Sequence, residues 1–354
     1  MQKQNLGKNI LLAFLSSLIF LLIADLVLRF IMPPASKITE SGWAVEENSE
    51  CRKVVEDTFG NRVEIKAKYF NYGFKRWGDP DTKKIKMFII GDSYTQMDLV
   101  SNGQEWYAYL EKEFKNLELF VYGEAGYGSF QEYMVLDDYI DKIKPDLIIL
   151  QFCENDLGNN LYLLDLQNYP YNNHEYRPYL EGERIVYKQA LPLSSLRNRS
   201  FIANMILEIY DWVLWDITKK NLRAYWKNKE IKLNNSSKNE KEKNRQLERR
   251  AFKVTDKIMG MIKERAAGIP VYFLDASVFK SSRVEKMCKA NNFIYIPGIT
   301  ECVIPGKKNR RLRIVNDGHW NKLGNKLVGE RPVEYFKEVG ISKIQDPAAE
   351  INLN

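Results

Sequence analysis

The stretch Ile85-Lys86-Met87-Phe88-Ile89-Ile90-Gly91-Asp92-Ser93-Tyr94-Thr95 decides how this chain is read. A short apolar run stops at a glycine and passes into polar, turn-forming residues, the pattern of a buried strand feeding a tight turn. Four further runs of the same kind follow: Leu117–Tyr122, Asp146–Phe152, Ile269–Leu274 and Phe293–Ile296. Between them Trp106–Phe114 and Gln131–Ile143 carry apolar residues at helical spacing. Strands apolar on both faces, alternating with helices, predict an α/β fold: a three-layer α/β/α, doubly wound parallel sheet of about five strands. In such sheets ligands bind beyond the carboxyl ends of the strands, so the residues just after each run are those to inspect.

Outward from this core, the chain divides by composition. Residues 1–8 are polar, with Lys3 and Lys8, and read as a cytoplasmic N-terminus. Residues 9–32 are apolar from Ile10 to Ala24, continue through Asp25 and Arg29, and end at Pro33-Pro34; this suffices for one transmembrane anchor. Asp25 and Arg29 are i,i+4 neighbours able to pair. A cleaved signal peptide is the alternative, although no A-x-A cleavage site follows. Residues 33–84 are a polar, turn-rich extension packing on the main domain, which covers 85–340, and 341–354 form a tail. With the anchor retained, everything after it lies outside the cytoplasm, as in a single-pass protein of a bacterial inner membrane.

A long insert at about 157–267 interrupts the strand pattern. It holds a Tyr/Asn/Pro-rich loop, an apolar helix from Phe201 to Ile217 and a charged stretch around Lys238–Arg250, helical or flexible. Ile206, Tyr210, Val213 and Ile217 form one stripe on the helix, but Trp212 and Trp215 fall with Glu208 and Asp211. A lid, a membrane-surface helix, a docking helix and a helix packed on the sheet all fit. The net charge of +7 comes largely from Lys219–Arg250 rather than from a basic face interleaved with aromatics, which argues against nucleic acid as a partner. Cys51, Cys153, Cys288 and Cys302 include no C-x-x-C, and with two histidines in the chain no metal site is expected. A Cys288–Cys302 bridge is open to it in an oxidising compartment.

The strand ends carry the chemistry. Gly91-Asp92-Ser93 follows the first run and sets a hydroxyl at a strand-to-helix turn, near the positive end of the next helix. Gly123-Glu124-Ala125-Gly126 follows the second, and glycine there lets backbone approach a substrate. Cys153-Glu154-Asn155-Asp156 follows the third, and Asp317-Gly318-His319-Trp320-Asn321 lies near the C-terminus. Each motif alone reads as an ordinary turn. Only His174 and His319 can serve as a histidine base; His174 lies among Asn and Tyr in a polar loop, whereas Asp317 stands two residues before His319.

Together, and in this order, the four motifs resemble the SGNH/GDSL hydrolase family over roughly 86–336, insert excluded, with a flavodoxin-like sheet. The flanking Asn71-Tyr72-Gly73-Phe74, Gly126-Tyr127-Gly128-Ser129 and Asp317-Gly318-His319-Trp320-Asn321 look like its membrane-tethered bacterial branch. The resemblance implies Ser93 as nucleophile, His319 as base and Asp317 as its orienting carboxylate. It implies an oxyanion hole of Ser93 N–H, Gly126 N–H and the Asn155 side chain, with Asp92 and Asp156 holding the turns. Three positions depart from the pattern: Val121 replaces the asparagine that often opens the second motif, Cys153 replaces the glycine of Gly-x-Asn-Asp, and Asp-x-His replaces Asp-x-x-His. The shorter spacing also occurs in SGNH-like polysaccharide O-acetyltransferases.

The expectation is a serine-dependent acyl-ester hydrolase without a cofactor, acting on O-acyl, in particular acetyl, groups of an envelope or secreted polysaccharide. An acylated glycan or other ester is the expected substrate, and a membrane-bound acyltransferase is a candidate partner. O-acetyl transfer by the same residues is one alternative. A degenerate SGNH subunit that binds glycan or scaffolds an envelope assembly is another. A dinucleotide-binding reading fails, because the first turn has no G-x-G-x-x-G.

Overall fold

The computed structural model describes residues 2–31, 37–56, 61–168, 172, 175–220, 238–303, 312–314 and 317–341. His174 and the 342–354 tail lie outside the described residues, as do the side chains of Lys3 and Arg29.

Five runs of alternating inward residues form the central sheet: β6 (Ile85–Gly91), β7 (Leu117–Gly123), β8 (Leu147–Phe152), β11 (Val271–Asp275) and β12 (Ile294–Tyr295). They are mutually parallel and ordered β12-β11-β8-β6-β7. A sixth strand, β5 (Arg76–Trp77), adds to β7 in the antiparallel sense. Two residues are too few to show a period, and this edge strand was not foreseen from the sequence.

Successive side chains point to opposite faces, so the strands supply two cores. One face packs Met87, Ile89, Leu119, Val121, Ile149 and Leu274 against Trp106, Val328 and Phe336. These last come from the segment before α3 (Ala108–Glu113) and from α10 (Lys322–Val339). The other packs Phe88, Ile90, Phe120, Ile148, Leu150 and Phe273 against α4 (Ser129–Ile143) and α9 (Lys238–Ala266). The charged stretch around Lys238–Arg250 therefore begins a long helix whose later turns are core. Leu247, Ala251, Ile258, Ile262 and Ala266 are all buried, at successive spacings of four, seven, four and four residues.

Between β8 and α9 the chain forms two short helices, α5 (Asn155–Asn159) and α6 (Tyr162–Gln167), then the hairpin β9 (Tyr176–Glu181) and β10 (Arg184–Gln189). The helices α7 (Ser194–Arg199) and α8 (Phe201–Lys220) follow. The N-terminal helix α1 (Gln2–Ile31) leads to two hairpins, β1 (Lys37–Thr39) with β2 (Gly42–Ala44), and β3 (Glu50–Glu56) with β4 (Arg62–Lys68). Cys51, Cys153, Cys288 and Cys302 are free thiols; Cys288 and Cys302 donate to separate carbonyls, Phe293 and Ile299.

The first strand sends the chain to β7 on one side, and β8 lies on its other side, so the switch of winding direction falls between β6 and β8. Two glycines close the end of this region. A Cβ on Gly123 would lie 2.2 Å from the backbone nitrogen of Gln96, and one on Gly91 would lie 2.3 Å from Gln151 Oε1. Gly123→Ala should consequently push the Ser93–Gln96 turn off the sheet, at a cost of about 1–3 kcal/mol from overpacking. Urea denaturation of the variant should show a lower midpoint, and the reactivity of Ser93 should fall with it.

Candidate active site

The turn at Ser93 is built from polar side chains of the adjoining strand. Gln151, fully buried on β8, accepts from the Asp92 N–H (3.1 Å) and the Thr95 hydroxyl (2.8 Å). Asp92 caps the short helix α2 (Ser93–Gln96), its Oδ1 accepting from the Tyr94 N–H at 2.9 Å. Its second oxygen accepts from the Asn155 amide at 3.1 Å. Asn155 thereby sits beside the Ser93 turn with one N–H engaged and its rotamer fixed.

The fourth motif closes the site from 226 residues away: His319 Nε2 lies 2.7 Å from Ser93 Oγ. The other ring nitrogen, Nδ1, is hydrogen-bonded to Asp317 Oδ1, and that oxygen also accepts from the His319 N–H at 3.2 Å. Asp317 accepting from Nδ1–H leaves Nε2 as the acceptor toward the serine. Both side chains are 26% exposed, so the pair is partly open to solvent rather than sealed in the core.

The described residues on either side of this pair are held by several contacts. Arg313 bridges to Trp320, and the Ile314 N–H donates to the His319 carbonyl at 2.8 Å. Gly318 turns the chain with φ +100°, a value costly for any side chain. Arg313 donates to the Tyr94 hydroxyl at 3.2 Å and to the Gly318 carbonyl. The Tyr94 ring packs on His319 (centroids 4.8 Å apart) and on Trp320 (4.6 Å).

Gly126, with φ +81°, lies in the loop after β7. Its carbonyl accepts from Asn159 Nδ2 (3.1 Å) and from Arg177 Nη1 (2.6 Å). Arg177 is buried, ion-paired to buried Asp165 at 3.0 Å, and its guanidinium lies 5.0 Å from the Trp43 ring. From the N-terminal extension, Trp43 Nε1 donates to the Ala125 carbonyl at 3.2 Å and the Val45 N–H donates to Glu124 at 3.1 Å. A loop held from both sides presents its backbone in one geometry. Asp156 accepts from the Cys153 N–H at 2.7 Å and holds the turn that follows β8.

The structure brings Ser93, His319 and Asp317 into one hydrogen-bonded chain and ties Asn155 to Asp92. Gly126 belongs to the neighbouring strand end. Sequence reasoning passed over Gln151, Arg177 and Arg313. Gln151 had a signal, a polar residue inside the apolar run Leu147–Phe152. Arg177 and Arg313 had none, since their partners are remote in sequence or backbone carbonyls. Among the described residues no cluster of His, Cys, Asp and Glu could hold a metal ion.

Burial pushes the Asp92, Asp156 and Glu132 carboxyls upward; repulsion from Asp92 adds to it for Asp156, and repulsion from Asp156 and Asp92 adds to it for Glu132. The Cys153 thiol is raised well above its ordinary range for the same first reason, which makes it a poor rival nucleophile.

The sequence matches no family model, and no curated protein matches it significantly. Among solved structures it is similar to a lipase/acylhydrolase from Enterococcus faecalis, at 10% identity and TM-score 0.37, covering 72% of this chain and 96% of that one. A member of the lipolytic G-D-S-L family from Veillonella parvula matches at 12% identity and TM-score 0.37, over 71% and 98% of the two chains. A family 3 carbohydrate esterase from Clostridium thermocellum matches at 12% identity and TM-score 0.36, over 73% and 97%. At those identities and scores the likeness assigns no residue a role, and the chemistry rests on this chain's own side chains.

Glu124 offers a test of the loop's electrostatics. Burial raises its carboxyl from the ordinary 4.5 to about 8, opposed by donors from Val45 and Gln96. A carboxyl raised on folding stabilises the native state fully below about pH 4.5, and that contribution is lost as pH rises toward 8. Replacing Glu124 by Gln should flatten this decline, worth on the order of a few kcal/mol. Urea midpoints of both proteins at pH 5 and pH 8.5 read the difference directly; parallel pH profiles would exclude Glu124 as the cause.

Proposed function

We propose that the chain is a serine acyl-ester hydrolase that works by two-step acyl transfer, and the hydrogen-bonded sequence Ser93–His319–Asp317 carries the reading. His319 Nε2 takes the Ser93 proton as Oγ attacks an ester carbonyl. Asp317 stabilises the imidazolium through Nδ1–H. The tetrahedral oxyanion is held by Ser93 N–H, Gly126 N–H and the second N–H of the Asn155 amide. The imidazolium then gives its proton to the leaving alcohol oxygen as the C–O bond breaks, leaving the acyl group on Ser93. Water, deprotonated by His319, attacks the acyl-enzyme and releases the acid. The partial exposure of His319 and Asp317 favours water as the acceptor.

The proposed substrate is an O-acyl, in particular O-acetyl, group on an envelope or secreted polysaccharide, met outside the cytoplasm. Among the described residues one helix is long and apolar enough to cross a membrane, Lys8–Leu28. Asp25, near its end, accepts from the Ser200 hydroxyl (2.9 Å) and the Ile202 N–H (2.8 Å) of the folded domain. A carboxylate bound in this way supports a retained anchor over a removed leader. Transfer of the acyl group to a sugar hydroxyl uses the same residues, and a glycan acceptor supplied with the substrate separates it from hydrolysis.

A fluorophosphonate probe should label the wild-type chain and fail on Ser93→Ala; labelling of both places the nucleophile elsewhere, and labelling of neither favours a binding subunit. Removing one oxyanion donor typically costs about 10²–10³ in turnover. Asn155→Ala should show a loss of that order in acetate release from an acetylated glycan while remaining folded by circular dichroism. Near-full turnover would remove Asn155 from the oxyanion site.

A further inference from the structure

Helix α8 is turned inside out for a protein in water. Met205, Ile206, Ile209, Tyr210, Trp212 and Val213 are exposed, Trp212 by 68% and Ile209 by 58%. At 100° per residue they share an arc of about 160°. The opposite side faces the protein and carries Asp211, whose carboxylate pairs with Arg197 of α7 at 2.7 Å, both side chains at most 4% exposed. The apolar stripe seen in the sequence is thus the outward face, and Trp212 belongs to it. A helix that buries an ion pair and exposes an apolar face has its low-dielectric surroundings outside.

What lies outside is indicated by α1. Its apolar stretch is 0% buried within the protein, and its Asp25 caps α8: the carboxylate takes the Ile202 N–H, while Ser200 Oγ accepts from the Ala203 N–H at 3.1 Å. Asp25 lies three residues before the end of the Lys8–Leu28 stretch, about 5 Å along the helix axis. The start of α8 is therefore held at the level where α1 would leave the hydrocarbon. From Lys219 to Lys232 the sequence is basic, with Lys219, Lys220, Arg223, Lys227, Lys229 and Lys232 against Glu230 alone, which suits anionic headgroups. Trp212 and Tyr210 are of the type enriched at membrane interfaces.

We propose that α8 is a second membrane contact: its Met205–Val213 face lies in the anionic lipid leaflet from which α1 emerges, fixing the orientation of the catalytic domain on the bilayer. This goes beyond the acyl chemistry and rests only on the reading of α1 as an anchor.

The test uses the full chain in vesicles of phosphatidylcholine and phosphatidylglycerol. Cys51 and Cys302 are replaced by serine, the buried Cys153 and Cys288 being kept. A nitroxide is then placed by Ile209→Cys or Val213→Cys on α8, by Leu15→Cys on α1, and by Ile185→Cys on exposed β10 as the water reference. Fluorophosphonate labelling of Ser93 in each sample reports the fold and the acyl chemistry independently. Collision with oxygen relative to a water-soluble nickel chelate should be severalfold higher at 209, 213 and 15 than at 185. Water-like values at 209 and 213 with lipid values at 15 overturn the second contact and leave the anchor standing. Shielding from both reagents with dipolar broadening means a second copy covers the face, and overturns it too. Water-like values at Leu15 overturn the anchor and this inference together.

Discussion

Everything at the site depends on one constraint at the point where the sheet changes its direction of winding. β6 and β8 lie side by side and parallel, so their carboxyl ends stop at the same level. From β8, the buried Gln151 side chain reaches across to the Asp92 N–H and the Thr95 hydroxyl, the two groups that flank Ser93 in sequence. A strand end has no ladder partner for those groups, and an apolar side chain at 151 would leave a buried N–H without an acceptor. The glutamine therefore defines where the chain leaves the sheet. Gly91 is part of the same arrangement, since its missing Cβ is the space that Gln151 Oε1 and Thr95 Oγ1 occupy. Asp92 then caps α2 and fixes the Asn155 amide, so one turn settles both a hydroxyl and a donor.

That economy has an electrostatic cost. Asp92, Asp156 and Glu132 are all fully buried and are each driven toward the neutral form. Sites that must hold polar groups in fixed geometry commonly accept such strain, with the surrounding fold supplying the stability. Here the supply is visible. The two-faced sheet core is dense in β-branched and aromatic residues, and the loop at Gly126 is gripped by Arg177, Asn159 and Trp43. His319, partly exposed, is positioned by the Tyr94 ring, itself packed on Trp320, rather than by its own burial.

The strand ends were legible because a parallel sheet buried on both faces leaves continuous apolar runs, and the turn residues after Ile90, Tyr122 and Phe152 are therefore conspicuous. His319 was legible by scarcity, since the chain has only one other histidine. What stayed hidden is of a different physical kind. β5 is two residues long, and the hairpin Tyr176–Glu181 with Arg184–Gln189 gave no isolated apolar run. Lys238–Ala266 opens with charges, which masked the later turns that complete the sandwich. Arg177 meets Gly126 from 51 residues away, a distance at which no local pattern speaks.

The helix α8 shows the limit most clearly. Periodicity reveals that a helix has an apolar side, yet it is silent on whether that side meets protein or something else. The decision comes from the other face, where the Arg197–Asp211 pair is buried, and from Asp25, the one acidic residue of α1. In a bilayer core an acidic side chain is costly unless it has partners, and Asp25 has two donors from the start of α8. The same contact works in both directions. It satisfies the one acidic group of the Lys8–Leu28 stretch and neutralises the N-terminal dipole of α8, so neither helix is complete without the other. Farther along the sequence, Ser41 and Trp43 bond Tyr127 and Ala125 beside Gly126. The N-terminal region is thus hydrogen-bonded to the main domain at two places, α1 through Asp25 and the β2 segment through Trp43.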